Sequence, residues 1–125
     1  MKTTLEMVRE FHDAFQVETP ENPRLDRKDI NDLRVKLLEE ELGEFWEWLI
    51  AGDKAKTLDA LCDLQYVLDG AFLALGFGRA KEEAFRRVHE ANMTKLDQNG
   101  KPIFAANGKI LKPKTFVHPD LSDLV

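Results

Sequence analysis

Acidic side chains offer this sequence its chemistry: Glu40, Glu41 and Glu44 lie in one segment, Asp59 and Asp63 in the next. Counted at about 100° per residue from Leu33, the first segment places Leu37, Ile30, Trp48, Phe45, Leu38, Leu49, Leu42, Val35 and Trp46 on an arc of about 220°. Glu44 falls near 20° and Glu41 near 80°, both inside that apolar arc, with Glu40 at its edge near 340° (all approximate). Lys36, Glu39 and Glu47 face the other way. An acid inside an apolar stripe needs compensation, because an unpaired buried carboxylate is costly. In the second segment Asp59, Asp63, Tyr66 and Gly70 share a stripe about 60° wide, a groove lined by two acids, a phenol and a residue with no side chain.

Carboxylates from two adjacent helices converge only around cations. Hard oxygen donors with no His or Cys beside them suit Mg²⁺, with Mn²⁺ as a substitute. An acid-held Mg²⁺ keeps several waters, takes further ligands from phosphate, and lowers the pKa of a bound water. The plainer readings stay open beside this one. Three consecutive glutamates also make a solvated helix face, and Asp59 also suits the positive end of its own helix. Arg34 pairs with Glu41, with another helix, or with a phosphate. His12, His89 and His118 show no metal spacing and read as surface or satisfied groups. Cys62 reads as a small buried hydrophobe, Gln65 and Asp69 as one narrow wet edge, and Trp46 and Trp48 as core or dimer contacts.

The elements that must position these residues are helical. Thr3-Thr4-Leu5-Glu6 resembles a capping box, and Leu5, Val8, Phe11 and Phe15 follow at helical spacing, which predicts a helix over about 3–16. Pro20 and Pro23 mark 17–26 as a loop. A long helix from near Asp29 ends at Gly52, and a third, apolar nearly all round and so central and buried, runs from about Asp53 to Gly76. A fourth, about 79–93, carries Phe85, Val88, Asn92 and then Lys95 on one face. Beyond it, about 94–125, Gly100, Gly108, Pro102, Pro113 and Pro119 exclude a long helix and leave a small hairpin or an extended arm. The expected fold is all-α: one domain over 1–125, a four-helix bundle over about 3–93 with a C-terminal arm.

Composition is that of a soluble globular chain, with 33% charged and 43% hydrophobic residues. No apolar run reaches the roughly 20 residues that span a bilayer, and the acidic, amphipathic start is no signal peptide. A net charge of −5 with no basic tract argues against a nucleic-acid polymer as partner. The single cysteine excludes an intrachain disulfide and suits the cytoplasm.

At these acids the chain resembles the all-α nucleoside triphosphate pyrophosphatases, which include MazG, dimeric dUTPase and phosphoribosyl-ATP pyrophosphohydrolase. Glu41-Leu-Gly-Glu44 matches their Glu-x-x-Glu motif, with Glu40 before it. Asp63 matches the aspartate of their Glu-x-x-Asp motif, but Ala60 stands where the glutamate belongs, with Asp59 one position earlier. The segments Asp59-Ala-Leu-Cys-Asp-Leu-Gln-Tyr-Val-Leu-Asp-Gly, Val88–Lys95, Gly-Lys-Ile-Leu-Lys-Pro and Phe11-His12 are similar to the MazG-like, phosphoribosyl-ATP pyrophosphohydrolase-like branch. The resemblance implies a Mg²⁺-dependent cleavage of an NTP or dNTP between the α- and β-phosphates, giving the monophosphate and pyrophosphate. It implies Glu40, Glu41, Glu44 and Asp63 as metal ligands, with Asp59 reaching toward the gap at Ala60, and Glu40 or Glu41 as the group acting on water. Asn92, Lys95 and Tyr66 would contact substrate, and the chain would form a homodimer or tetramer. Two rivals stand beside it. A di-iron carboxylate bundle needs Glu-x-x-His, which no histidine here completes. A non-catalytic dimerisation or regulatory bundle of the same fold is favoured by Ala60.

Overall fold

Four helices account for nearly all the regular structure in the computed structural model, which describes residues 1–125: α1 Thr4–Ala14, α2 Lys28–Ala51, α3 Lys54–Ala74 and α4 Lys81–Met93. The chain is all-helical and forms no strand. Each boundary has a local cause. Thr3 caps α1 by accepting a hydrogen bond from the Glu6 backbone N–H at 3.1 Å. Asp53 caps α3 in the same way, accepting from Lys56 N–H at 3.0 Å. Between α2 and α3 Gly52 takes the left-handed conformation at φ 72°, and its N–H closes the end of α2 on the Leu49 carbonyl. At the far end of α3, Gly76 at φ 84° lets the loop pass so closely that an added Cβ would stand 2.1 Å from the Asn22 carbonyl oxygen.

Two compact units divide the chain, Met1–Arg79 and Ala80–Val125. In the first, α1 and α2 both pack on α3. Its core is small: Val8, Ala60, Ala71, Leu73 and Ala74 are buried, joined by His12, Arg34 and Asp69. This corrects the expectation that α3 is buried all round. Leu58, Leu61 and Leu68 are exposed, because two neighbours cover only one side of it. Asp69, expected on a wet edge, is fully buried, whereas Cys62, expected inside, is exposed.

In the second unit the Arg87 guanidinium ties α4 to the chain's end, donating to Glu83 at 3.0 Å, to Asp123 at 2.6 Å and to the Asp120 carbonyl at 3.0 Å. Paired charges shift accordingly: the Arg86 and Arg87 hydrogen bonds hold the Glu83 carboxyl down to about 2. The C-terminal segment makes one antiparallel bridge, Phe104 to Ile110, turning at Asn107-Gly108 with Gly108 at φ 85°. It is a minimal hairpin within an otherwise extended arm that ends in a 3-10 turn, Ser122–Leu124.

Candidate metal centre

The corner at Gly52-Asp53 folds α3 back along α2, and contacts along the pair repeat with a step of seven residues on each helix. The Lys56 ammonium sits 4.1 Å from the centre of the Trp48 ring. Seven residues on from Lys56, and seven back from Trp48, Asp63 meets Glu41. Seven further on, Gly70 meets Arg34. Two turns per step keep one face of each helix against the other.

At the middle contact one carboxylate oxygen each from Glu41, Glu44 and Asp63 lies within 4.8 Å of the other two. Glu41 and Asp63 are half-buried and Glu44 is exposed, so the cluster opens on one side. The Oε2 of Glu41 is enclosed and has no hydrogen-bond partner. Burial first, then the charges of Glu44 and Asp63, push the Glu41 carboxyl above its ordinary range. Three converging carboxylates with an orphaned buried oxygen among them have the donor set of a hard divalent cation.

Other expected site residues lie elsewhere. Glu40 is exposed, outside the trio, 4.0 Å from the Lys36 ammonium one turn back, although its charge still reaches Glu41. Asp59 is exposed and does not join the trio. Ala60, at the motif's missing glutamate, is buried at 3% exposure and supplies no ligand. Tyr66 stacks edge-on against Phe11 at 5.6 Å and lines a 170 Å³ cavity with Met7, Val8 and Cys62. In the second unit Asn92 is exposed, and the Lys95 ammonium lies 5.8 Å from the Phe116 ring, which Lys112 also approaches at 5.0 Å.

The groove expected at Gly70 is filled instead. Arg34, expected against Glu41, another helix or a phosphate, packs on another helix there, where an added Cβ would stand 2.8 Å from its Nη1 and 3.3 Å from His12 Nε2. His12, expected at the surface or satisfied, is 3% exposed, and its Nδ1 has no partner. Burial and the neighbouring Arg34 lower its pKa. The available signal was Gly70 itself, since a glycine inside an apolar helix marks a close approach.

The model of the family described as phosphoribosyl-ATP pyrophosphohydrolase matches residues 8–92. The chain belongs to that family. As a member of the phosphoribosyl-ATP pyrophosphohydrolase family it is a hydrolase of phosphoric anhydride bonds that acts on a nucleotide. The matched residues run from Val8 through the acidic trio to Asn92, and Lys95 lies just beyond them. No curated protein matches the sequence closely enough to count as a relative.

Proposed function

We propose that the chain is a Mg²⁺-dependent nucleoside triphosphate pyrophosphohydrolase that cleaves an NTP or dNTP between the α- and β-phosphates. The products are the monophosphate and pyrophosphate. The observation that carries this reading is the Glu41 carboxylate, held among Glu44 and Asp63 with its inner oxygen unpartnered. Glu41, Glu44 and Asp63 hold the cation, with Mn²⁺ as a substitute. Such a cation supplies charge for phosphoryl oxygens and acidifies a bound water. Glu40, exposed beside the trio, is the carboxylate free to orient or deprotonate the attacking water. Asp59, one helical turn before Asp63, supplies a further carboxylate toward the gap at Ala60. Tyr66, Asn92 and Lys95 contact substrate, Lys95 as a point charge on phosphate.

The family's description names phosphoribosyl-ATP, so that nucleotide belongs in the substrate panel beside NTPs and dNTPs. The working form is a homo-oligomer, a dimer or a tetramer built from two dimers, in the cytoplasm. Exposed Leu42, Trp46, Leu49 and Ile50 on α2, with Leu58 and Leu61 on α3, form an apolar surface that a second copy covers.

The test is release of pyrophosphate from each nucleotide, first with Mg²⁺ and then with Mn²⁺. Turnover of at least one nucleotide is expected, and its loss in Glu44→Gln and in Asp63→Asn with the helical content unchanged. A folded wild type that releases pyrophosphate from no nucleotide would sink the proposal. One observation favours a second reading, a regulatory bundle without turnover: Ala60 removes a fourth carboxylate from the cluster. The same panel decides between them.

A further inference from the structure

The end of the helix pair opposite Gly52 holds a buried cluster that the proposed chemistry does not use. Arg34 is 9% exposed and His12 3% exposed, and both lie against Gly70. Neither Arg34 Nε nor His12 Nδ1 has a hydrogen-bond partner, and no carboxylate is paired with the guanidinium. A guanidinium this enclosed, with its Nε unsatisfied, is costly to hold, so the packing around it must fix it in place.

We propose that Gly70 and Arg34 are positioning residues: their close approach, backed by His12, fixes the register of α2 against α3 at which Glu41, Glu44 and Asp63 converge. The inference rests on the metal site proposed above. Three facts carry it. The contact lies two helical turns from the Glu41–Asp63 contact on both helices, so it sets the same face and the same offset. It is tight, since the ideal Cβ on Gly70 would be 2.8 Å from Arg34 Nη1 and 3.3 Å from His12 Nε2. It is also confined. The guanidinium ends a long side chain, but burial hems it in, and Arg34 and His12 must give way together.

Magnitude decides whether the site would notice. Moving Arg34 from 2.8 Å to the 3.4 Å of an ordinary contact takes a shift of about 0.6 Å. A Mg²⁺ site tolerates bond-length errors of only about 0.2 Å around 2.0–2.1 Å. Whatever part of that shift of about 0.6 Å the Arg34 side chain does not take up passes to the helices, and the three carboxylates sit on those same two helices.

A double-mutant cycle read by calorimetric Mn²⁺ binding without nucleotide tests this. Gly70→Ala should weaken binding by about tenfold, the scale of residues that orient ligands. Arg34→Lys, slimmer at the head, should also weaken it. The double variant should bind no worse than Arg34→Lys alone, because the added methyl fills space that the guanidinium vacates. Equal Mn²⁺ affinity in wild type and folded Gly70→Ala overturns the inference while leaving the metal site standing, and so do multiplicative losses in the double variant. A wild type that binds no divalent cation overturns both. Should Gly70→Ala fail to fold, the double variant decides. Folding with the affinity of Arg34→Lys supports the inference; failure to fold, or a further tenfold loss, overturns it.

Discussion

Glu41 pays for its place in the apolar stripe with electrostatic repulsion, and that can be measured without any ligand. Its carboxylate is half-buried beside those of Glu44 and Asp63. Glu41→Gln keeps the shape and removes the charge, so in chelator the variant should resist urea better than wild type, by about 1 kcal/mol for relief of one half-buried carboxylate contact. Divalent cation should then raise the wild-type midpoint and leave that of the variant nearly unmoved. A metal-free variant less stable than wild type would refute the repulsion. His12 gives the pH counterpart. Burial, with Arg34 beside it, lowers its folded pKa from the ordinary 6.5. The unfolded chain therefore binds a proton before the folded one does, and stability is full above pH 6.5 and lost as pH falls through and below it. His12→Phe should flatten that fall in urea midpoints, and identical slopes would exclude the buried neutral ring. These two residues differ in how far sequence revealed them. Helical periodicity separated Glu41 and Glu44 from Glu39, because the angular position of an acid within an apolar arc is a sequence property. Burial of His12 depends on a glycine on another helix, which no local pattern around residue 12 contains.

The helices themselves were legible because their ends are local chemistry. Thr3, Gly52 and Asp53 each act on backbone within a few residues, and the observed bounds lie within two residues or so of those expected. Replacing Asp53 by Ala removes the bond to Lys56 N–H and should cost about 1 kcal/mol in chemical denaturation. Gly76→Ala should cost more, about 2–3 kcal/mol, because φ 84° strains any L side chain and the new Cβ would collide with the Asn22 carbonyl. Equal losses in the two variants would show that the loop yields to the methyl group. What covers a helix was not legible. The run from Leu58 to Leu75 says that α3 is apolar, but only the packing shows that α1 and α2 leave Leu58, Leu61 and Leu68 bare. The register of α2 on α3 was equally hidden, since spacing within each helix places the acids on faces but sets no offset between the helices.

At the scale of the molecule the unresolved account is apolar surface. Leu49, Leu58 and Leu61, with Gly52, line an open depression of about 390 Å³ at the α2–α3 corner, and Trp46 is 61% exposed on α2. Patches of this kind rimmed by charge mark association surfaces. No helix is long and apolar enough to cross a membrane, so lipid does not cover it through a spanning helix. A second copy is the occupant proposed, and mass action makes that testable: a protein stabilised by its own dimer melts at a temperature that rises with concentration. The wild type should sediment as a dimer or larger, with concentration-dependent melting. Leu58→Lys combined with Leu61→Lys should shift it to monomer, because two ammonium groups would have to be desolvated at the contact. Trp46 reports the same event independently. Its emission should lie to the blue in the assembled wild type and move to the red in the double variant as the ring meets water. Both substituted side chains are exposed in the single chain, so its fold should survive. A wild type that is monomeric at every concentration, or a double variant that sediments like wild type, would show that this surface faces something other than its own copy.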